Sequence, residues 1–129
     1  MSSAGAYREL TERGFIYQVT DETAVTKLLD AGPVVFYVGF DPTADSLHVG
    51  HLLPVMAMRL LQRAGHVPVA LVGGATALVG DPSGKQEARP ILSPETVAAN
   101  AAGLRAQLGR FLDLGEGRVI FANNADWFA

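Results

Sequence analysis

Cysteine is absent from the 129 residues, which excludes a disulfide framework, a thiolate metal site and a cysteine nucleophile. Long apolar runs are missing too. The longest, Val67 to Val72 with its Gly73-Gly74 continuation, is far too short to cross a bilayer, and Met1-Ser2-Ser3 supplies neither a basic start nor an apolar signal region. A cytoplasmic address with no membrane partner is therefore expected. Positive charge is not in excess: 10 Lys and Arg against 13 Asp and Glu leave a net charge of −3, which argues against a free-standing module that grips nucleic acid through an overall basic surface. Internal repeats and low-complexity linkers are also lacking. What the chain does have is apolar content, 49% of its residues, enough for the core of one domain of this length.

The pattern from Ala4 to Arg13 predicts a short helix stopped by Gly14, and Asp21 is placed to cap a second helix from Glu22 to about Leu29, ended by Gly32-Pro33. Val34 to Phe40 and Val67 to Val72 are β-branched, nearly uncharged runs expected to form strands covered on both faces. Between them, about Val49 to Ala64 reads as a buried helix that Gly65 ends. In it Pro54 would cause a kink unless it lies near the first turn. Gly73 to Arg89 reads as a long glycine-rich loop, Ser93-Pro94 opens a helix running to about Leu112, and Arg118 to Ala122 is a third strand. Strand, helix, strand, loop, helix, strand is the order of a parallel α/β sheet. Such sheets bind ligands beyond the carboxyl ends of their strands, which points to the loops Asp41 to His48 and Gly73 to Arg89.

His48 and His51, three apart at a helix start with Gly50 between them, would face one side where unpaired N–H groups and the dipole attract phosphate. Taken alone, such a pair is better explained by one packed and one solvated imidazole. The helical zinc spacing of four is absent. In the second loop only three residues separate Gly80 from Gly84-Lys85, and Gln86 replaces the required Ser or Thr, so a P-loop is excluded. Lys85 and Arg89, four apart, could fold cations over a polyphosphate or form an exposed basic loop. Asp81 could present a carboxylate to a ligand or cap a turn with Pro82, and Tyr37 could pack or offer its phenol to a pocket.

In order along the chain, Tyr37-Val38-Gly39-Phe40-Asp41-Pro42-Thr43-Ala44-Asp45-Ser46-Leu47-His48-Val49-Gly50-His51, then Val72-Gly73-Gly74-Ala75-Thr76, Gly80-Asp81-Pro82-Ser83-Gly84-Lys85 and Asn123-Asn124 with Asp126-Trp127 resemble the bacterial-type tyrosyl-tRNA synthetases. The tetrapeptide His48-Val49-Gly50-His51 is similar to the class I signature usually written His-Ile-Gly-His. The resemblance implies an α/β, Rossmann-like parallel sheet with flanking helices, an incomplete class I synthetase catalytic domain. Residues 1–32 would be an N-terminal helical segment and 33–129 the first half of the nucleotide-binding domain. It implies a tyrosine-tRNA ligase that activates tyrosine with ATP and then loads tRNA(Tyr). In that scheme Tyr37 and Asp81 bind tyrosine, and Gly39, Asp41, Gly50 and His51 line the adenosine of ATP. Thr43 and His48 hold the γ-phosphate, and Lys85 and Arg89 close on the leaving pyrophosphate.

The resemblance further implies ATP as substrate with Mg2+, no tightly bound cofactor or resident metal, and a homodimer for the full-length protein. Val38 stands where family members often carry a cysteine against the ribose. The rest of the tyrosine pocket, the second signature and the anticodon-binding region would follow Ala129. The alternative is a truncated or engineered nucleotide-binding half-domain that keeps the ATP loops and cannot aminoacylate. Within the enzyme reading, a tryptophanyl enzyme is the nearest competitor.

Overall fold

A computed structural model describes residues 5–79 and 91–128. The chain opens with α1 (Ala6–Glu12) and α2 (Glu22–Ala31), the latter capped by the Asp21 carboxylate, which accepts from the Ala24 N–H at 2.9 Å. Strand β1 (Val35–Phe40) follows, then a 3-10 turn (Val49–His51), helix α3 (Leu52–Arg63) and strand β2 (Val67–Val72). The remaining elements are α4 (Gly74–Val79), α5 (Pro94–Leu108), β3 (Ile120–Asn123) and a closing 3-10 turn (Asn124–Trp127).

The three described strands form a parallel sheet in the order β1-β2-β3, with Tyr37 opposite Val69 and Val69 opposite Ile120. Alternation along each strand gives the sheet two unlike faces. One carries Phe40 and Ala70, which pack with Val55 and Met58 of α3 and Leu104 and Leu108 of α5 into the main core. Each large side chain buried there stabilises the fold by about 1.5–3 kcal/mol. A second cluster, Ala6, Tyr7, Leu29 and Ala64 with Val34 and Leu61 against it, fixes α1 and α2 beside the amino end of β1. The carboxyl edge of the sheet is left clear of them.

Several expectations are corrected. Strand β1 is not covered on both faces, since Val35 and Tyr37 are 62% and 69% exposed; the described helices of the main core pack on the other face. The helix after the first loop is not buried all round, because Leu52 and Leu53 are exposed at its start. Pro54 is the third residue of α3, in the first turn, where no intrahelical N–H bond is there to be lost. Gly73 to Arg89 is not loop throughout, since Gly74–Val79 is helical. Its first turn is held by the Asn124 side chain, whose Oδ1 accepts from the Ala75 N–H at 2.8 Å. Helix α5 begins where expected, with Ser93 accepting from Thr96 N–H, but ends at Leu108, and β3 starts at Ile120. No described helix is long and apolar enough to cross a membrane.

Candidate active site

The ends of β1 and β2 are tied together where the Gly73 N–H donates to the Phe40 carbonyl at 2.8 Å. From this point the chain leaves β1 through Asp41 and fully buried Pro42. A cavity of about 320 Å³ opens here, bounded by Gly39, Asp41, Gly73, Thr76 and Asn124 with Phe40 and Leu71. Thr76 turns its hydroxyl onto the Gly73 carbonyl at 2.8 Å. The polar groups on the wall are thus positioned by α4 and by the turn after β3 as well as by β1, at the strand ends where α/β sheets take ligands.

A second hollow, about 280 Å³, lies alongside the turn that starts α3. Leu47, His48 and His51 line it together with Gln107, Arg110 and Phe111 of the α5 end and the turn after it. The two imidazoles form a reciprocal cap. His48 Nδ1 accepts from the Gly50 N–H, and His51 Nδ1 accepts from the His48 N–H, both at 3.0 Å. Two N–H groups that a helix start would leave unpaired are satisfied in this way. Gly50 makes the cap possible, because a Cβ there would stand 2.8 Å from His48 Cε1. The space a side chain on Gly50 would take therefore belongs to the protein's own imidazole.

This geometry sets the chemistry of both rings. A nitrogen that accepts carries no proton, so each neutral imidazole bears its hydrogen on Nε2 and keeps one donor for a partner beyond the cap. The rings lie 3.9 Å apart between centroids, tilted by 36°. His51 is held below the ordinary imidazole pKa by burial first and by the nearness of His48 second, with Asp41 acting in the opposite direction. It is a neutral donor at pH 7. Such donors suit the oxygens of a ribose or phosphate and lack the charge that would make them cationic anchors.

The structure therefore brings Gly39 and Asp41 into one cavity and His48 and His51 into the adjacent hollow. Thr43 and Gly50 are exposed on the chain between and beside them. Tyr37 stands on the open face of β1 and lines neither hollow. Asp81, Lys85 and Arg89 lie outside the described residues. Sequence reading left Thr76, Asn124 and Gln107 out of the candidate set. The Asn123-Asn124 pair was visible, but nothing local reveals that Asn124 caps a helix 49 residues earlier in the chain.

Comparison with known proteins gives consistent relatives. The family model described as tRNA synthetases class I (W and Y) matches residues 29–129. The tyrosine–tRNA ligase of Clostridium beijerinckii is 52% identical over 96% of this chain and 30% of its own length. That of Salmonella enteritidis is 53% identical over 99% of this chain and 31% of its own. Among solved structures, a C-terminally truncated mitochondrial tyrosyl-tRNA synthetase of Aspergillus nidulans superposes with a TM-score of 0.79 at 30% identity, over 95% of this chain and 38% of that one. The corresponding Coccidioides posadasii protein gives 0.76 at 35% identity, over 95% and 36%. This chain spans about 30% of the length of the curated relatives.

Proposed function

Because this chain belongs to the class I tRNA synthetases for tryptophan and tyrosine, we propose that it is the ATP-binding part of a tyrosine-tRNA ligase. The observation that carries the reading is the reciprocal His48–His51 cap, which leaves two Nε2–H donors beside the carboxyl edge of a parallel sheet. ATP would lie along that edge, its adenosine against Gly39, Asp41, Gly50 and His51 and its γ-phosphate against Thr43 and His48. Tyrosine would meet Tyr37 through its phenol and Asp81 through its ammonium. A site that hydrogen-bonds the phenol discriminates strongly against phenylalanine, whose binding leaves those groups unpaired.

The reaction forms a bond from the tyrosine carboxylate oxygen to the α-phosphorus of ATP and breaks the bond from that phosphorus to pyrophosphate. The carboxylate is already ionised, so neither a nucleophilic side chain nor a general base is needed. Catalysis then comes from alignment and from stabilising the charge that grows on the phosphoryl oxygens and leaving group. The Nε2–H donors of His48 and His51 fit that task, with Lys85 and Arg89 closing on pyrophosphate. Among the described residues no group of three or more His, Cys, Asp or Glu could hold a metal. The Mg2+ expected with ATP would enter on the nucleotide's own phosphates.

In the whole protein the tyrosyl group passes to tRNA(Tyr), in a cytoplasmic homodimer in which residues 1–32 form a helical segment beside the nucleotide domain of 33–129. Tyrosine-dependent ATP–pyrophosphate exchange tests the activity. Exchange with tyrosine and none with tryptophan is the expected result; ATP binding with no exchange for either amino acid would favour a nucleotide-binding half-domain.

A further inference from the structure

We infer that α5 is the template that sets the shape of the loop carrying Thr43 and His48, with Asn100, Gly103 and Gln107 as positioning residues. The three lie three and four apart, which puts them on one side of the helix. They meet the loop at three successive points. The Asn100 amide donates to the Pro42 carbonyl at 2.9 Å, the Asp45 carbonyl sits where a side chain on Gly103 would be, and the Leu47 N–H donates to Gln107 Oε1 at 2.6 Å.

Asn100 sits on the buried stripe of α5 with Val97, Leu104 and Leu108, where an apolar residue would ordinarily pack. Its polarity is explained by the carbonyl of buried Pro42, which water cannot reach and which needs a donor. The template itself is firm. Leu104 and Leu108 are buried in the main core, and Ser93 caps the helix start. Thr43 lies between the first two anchor points and His48 directly follows the third, so an error in the loop backbone passes straight to both side chains. The inference rests on reading loop 41–48 as part of the nucleotide site.

The test compares Gln107→Leu, Gly103→Ala and Gln107→Glu in the whole protein. Glu at this position still offers an oxygen to the Leu47 N–H, whereas Leu leaves that donor unpaired. Gln107→Leu and Gly103→Ala should lower kcat/KM for ATP in pyrophosphate exchange by roughly 10- to 100-fold, the scale on which small misplacements act. KM for tyrosine should hold steady, the loss should exceed what any fall in Tm explains, and Gln107→Glu should retain most of the activity.

Two results would overturn the inference: no loss in either disruptive variant, or losses for ATP and tyrosine alike that follow a fall in Tm. Gly103→Ala can fail by misfolding, in which case the Gln107 pair decides. Should the unsubstituted protein show no exchange, the functional reading fails by itself. Amide hydrogen exchange at Leu47 and His48 then decides the template. Faster exchange in Gln107→Leu than in Gln107→Glu supports it, and equal rates overturn it.

Discussion

All three histidines of this chain use Nδ1 to accept a backbone N–H, yet they sit in opposite surroundings. His66 takes the Val34 N–H at 3.1 Å and is 1% exposed, with its Nε2 buried and without a partner among the described residues. His48 and His51 take the N–H groups of Gly50 and His48, and their rings line an open hollow. One hydrogen-bond pattern thus serves two ends. At the amino end of the sheet it joins β2 to β1 and consumes the imidazole as structure. At the carboxyl edge it orients two rings and leaves a donor on each to be used. The contrast shows that the role of an imidazole here depends on what its second nitrogen faces.

The strongest way to break the comparison is to remove a ring from each end. His48→Ala should slow adenylate formation by about 10²–10³-fold, the range for loss of a preorganised donor to a developing anion. Pre-steady-state kinetics should find tyrosine affinity unchanged, and equal losses in rate and tyrosine affinity would sink the assignment. Thr43→Ala should behave in the same direction. His66→Ala should do the reverse, costing about 2–3 kcal/mol of stability through a cavity and an unpaired Val34 N–H, measured by urea denaturation. Its folded fraction should keep the ATP parameters of the parent.

A smaller effect separates the orientation of His48 from its presence. Gly50→Ala forces the ring away from the Gly50 N–H and should cost roughly 1 kcal/mol, as loss of a helix cap does. Exchange activity should fall less than in His48→Ala; a fall as large would mean that the ring orientation is all that matters.

The smallest effect is in pH. Burial lowers the His66 pKa, and burial together with His48 lowers that of His51, both from an ordinary value of 6.5. The folded state therefore binds fewer protons than the unfolded chain just below that value. Stability contributed by the neutral rings is complete above pH 6.5 and is lost as pH falls through the window beneath it. Melting temperature should drop between pH 7 and 5, and His66→Asn, which keeps an acceptor without a titrating group, should flatten the curve. An unchanged slope in that variant would assign the drop elsewhere.

Much of the fold was legible because its signals are local. Asp21 and Ser93 cap the helices they were expected to cap, Pro94 opens α5, and three apolar runs become three parallel strands. The errors have a common cause. Gly73-Gly74 reads as loop because the group that stabilises the start of α4 is Asn124, far along the chain. Strand β1 reads as fully covered because composition reports how apolar a strand is and not what packs on each face; Tyr37 ends up on the open one. His66 drew no notice, since a single histidine after a glycine has no pattern to mark it.

By itself the sequence determined the order of elements, the helix starts and the family, because each depends on residues close in the chain or on ordered identities along it. Tertiary structure decided how the site is assembled. Only packing brings Asn100, Gly103 and Gln107 against the loop of Thr43 and His48, and Asn124 against α4. Only the closure of the turn lets the His48 ring cap the Gly50 N–H and the His51 ring cap the His48 N–H. The physical reason is that a hydrogen bond between residues 49 or 60 apart leaves no periodicity in the sequence, and that the N–H groups of the folded turn fix which nitrogen of each ring remains free to act.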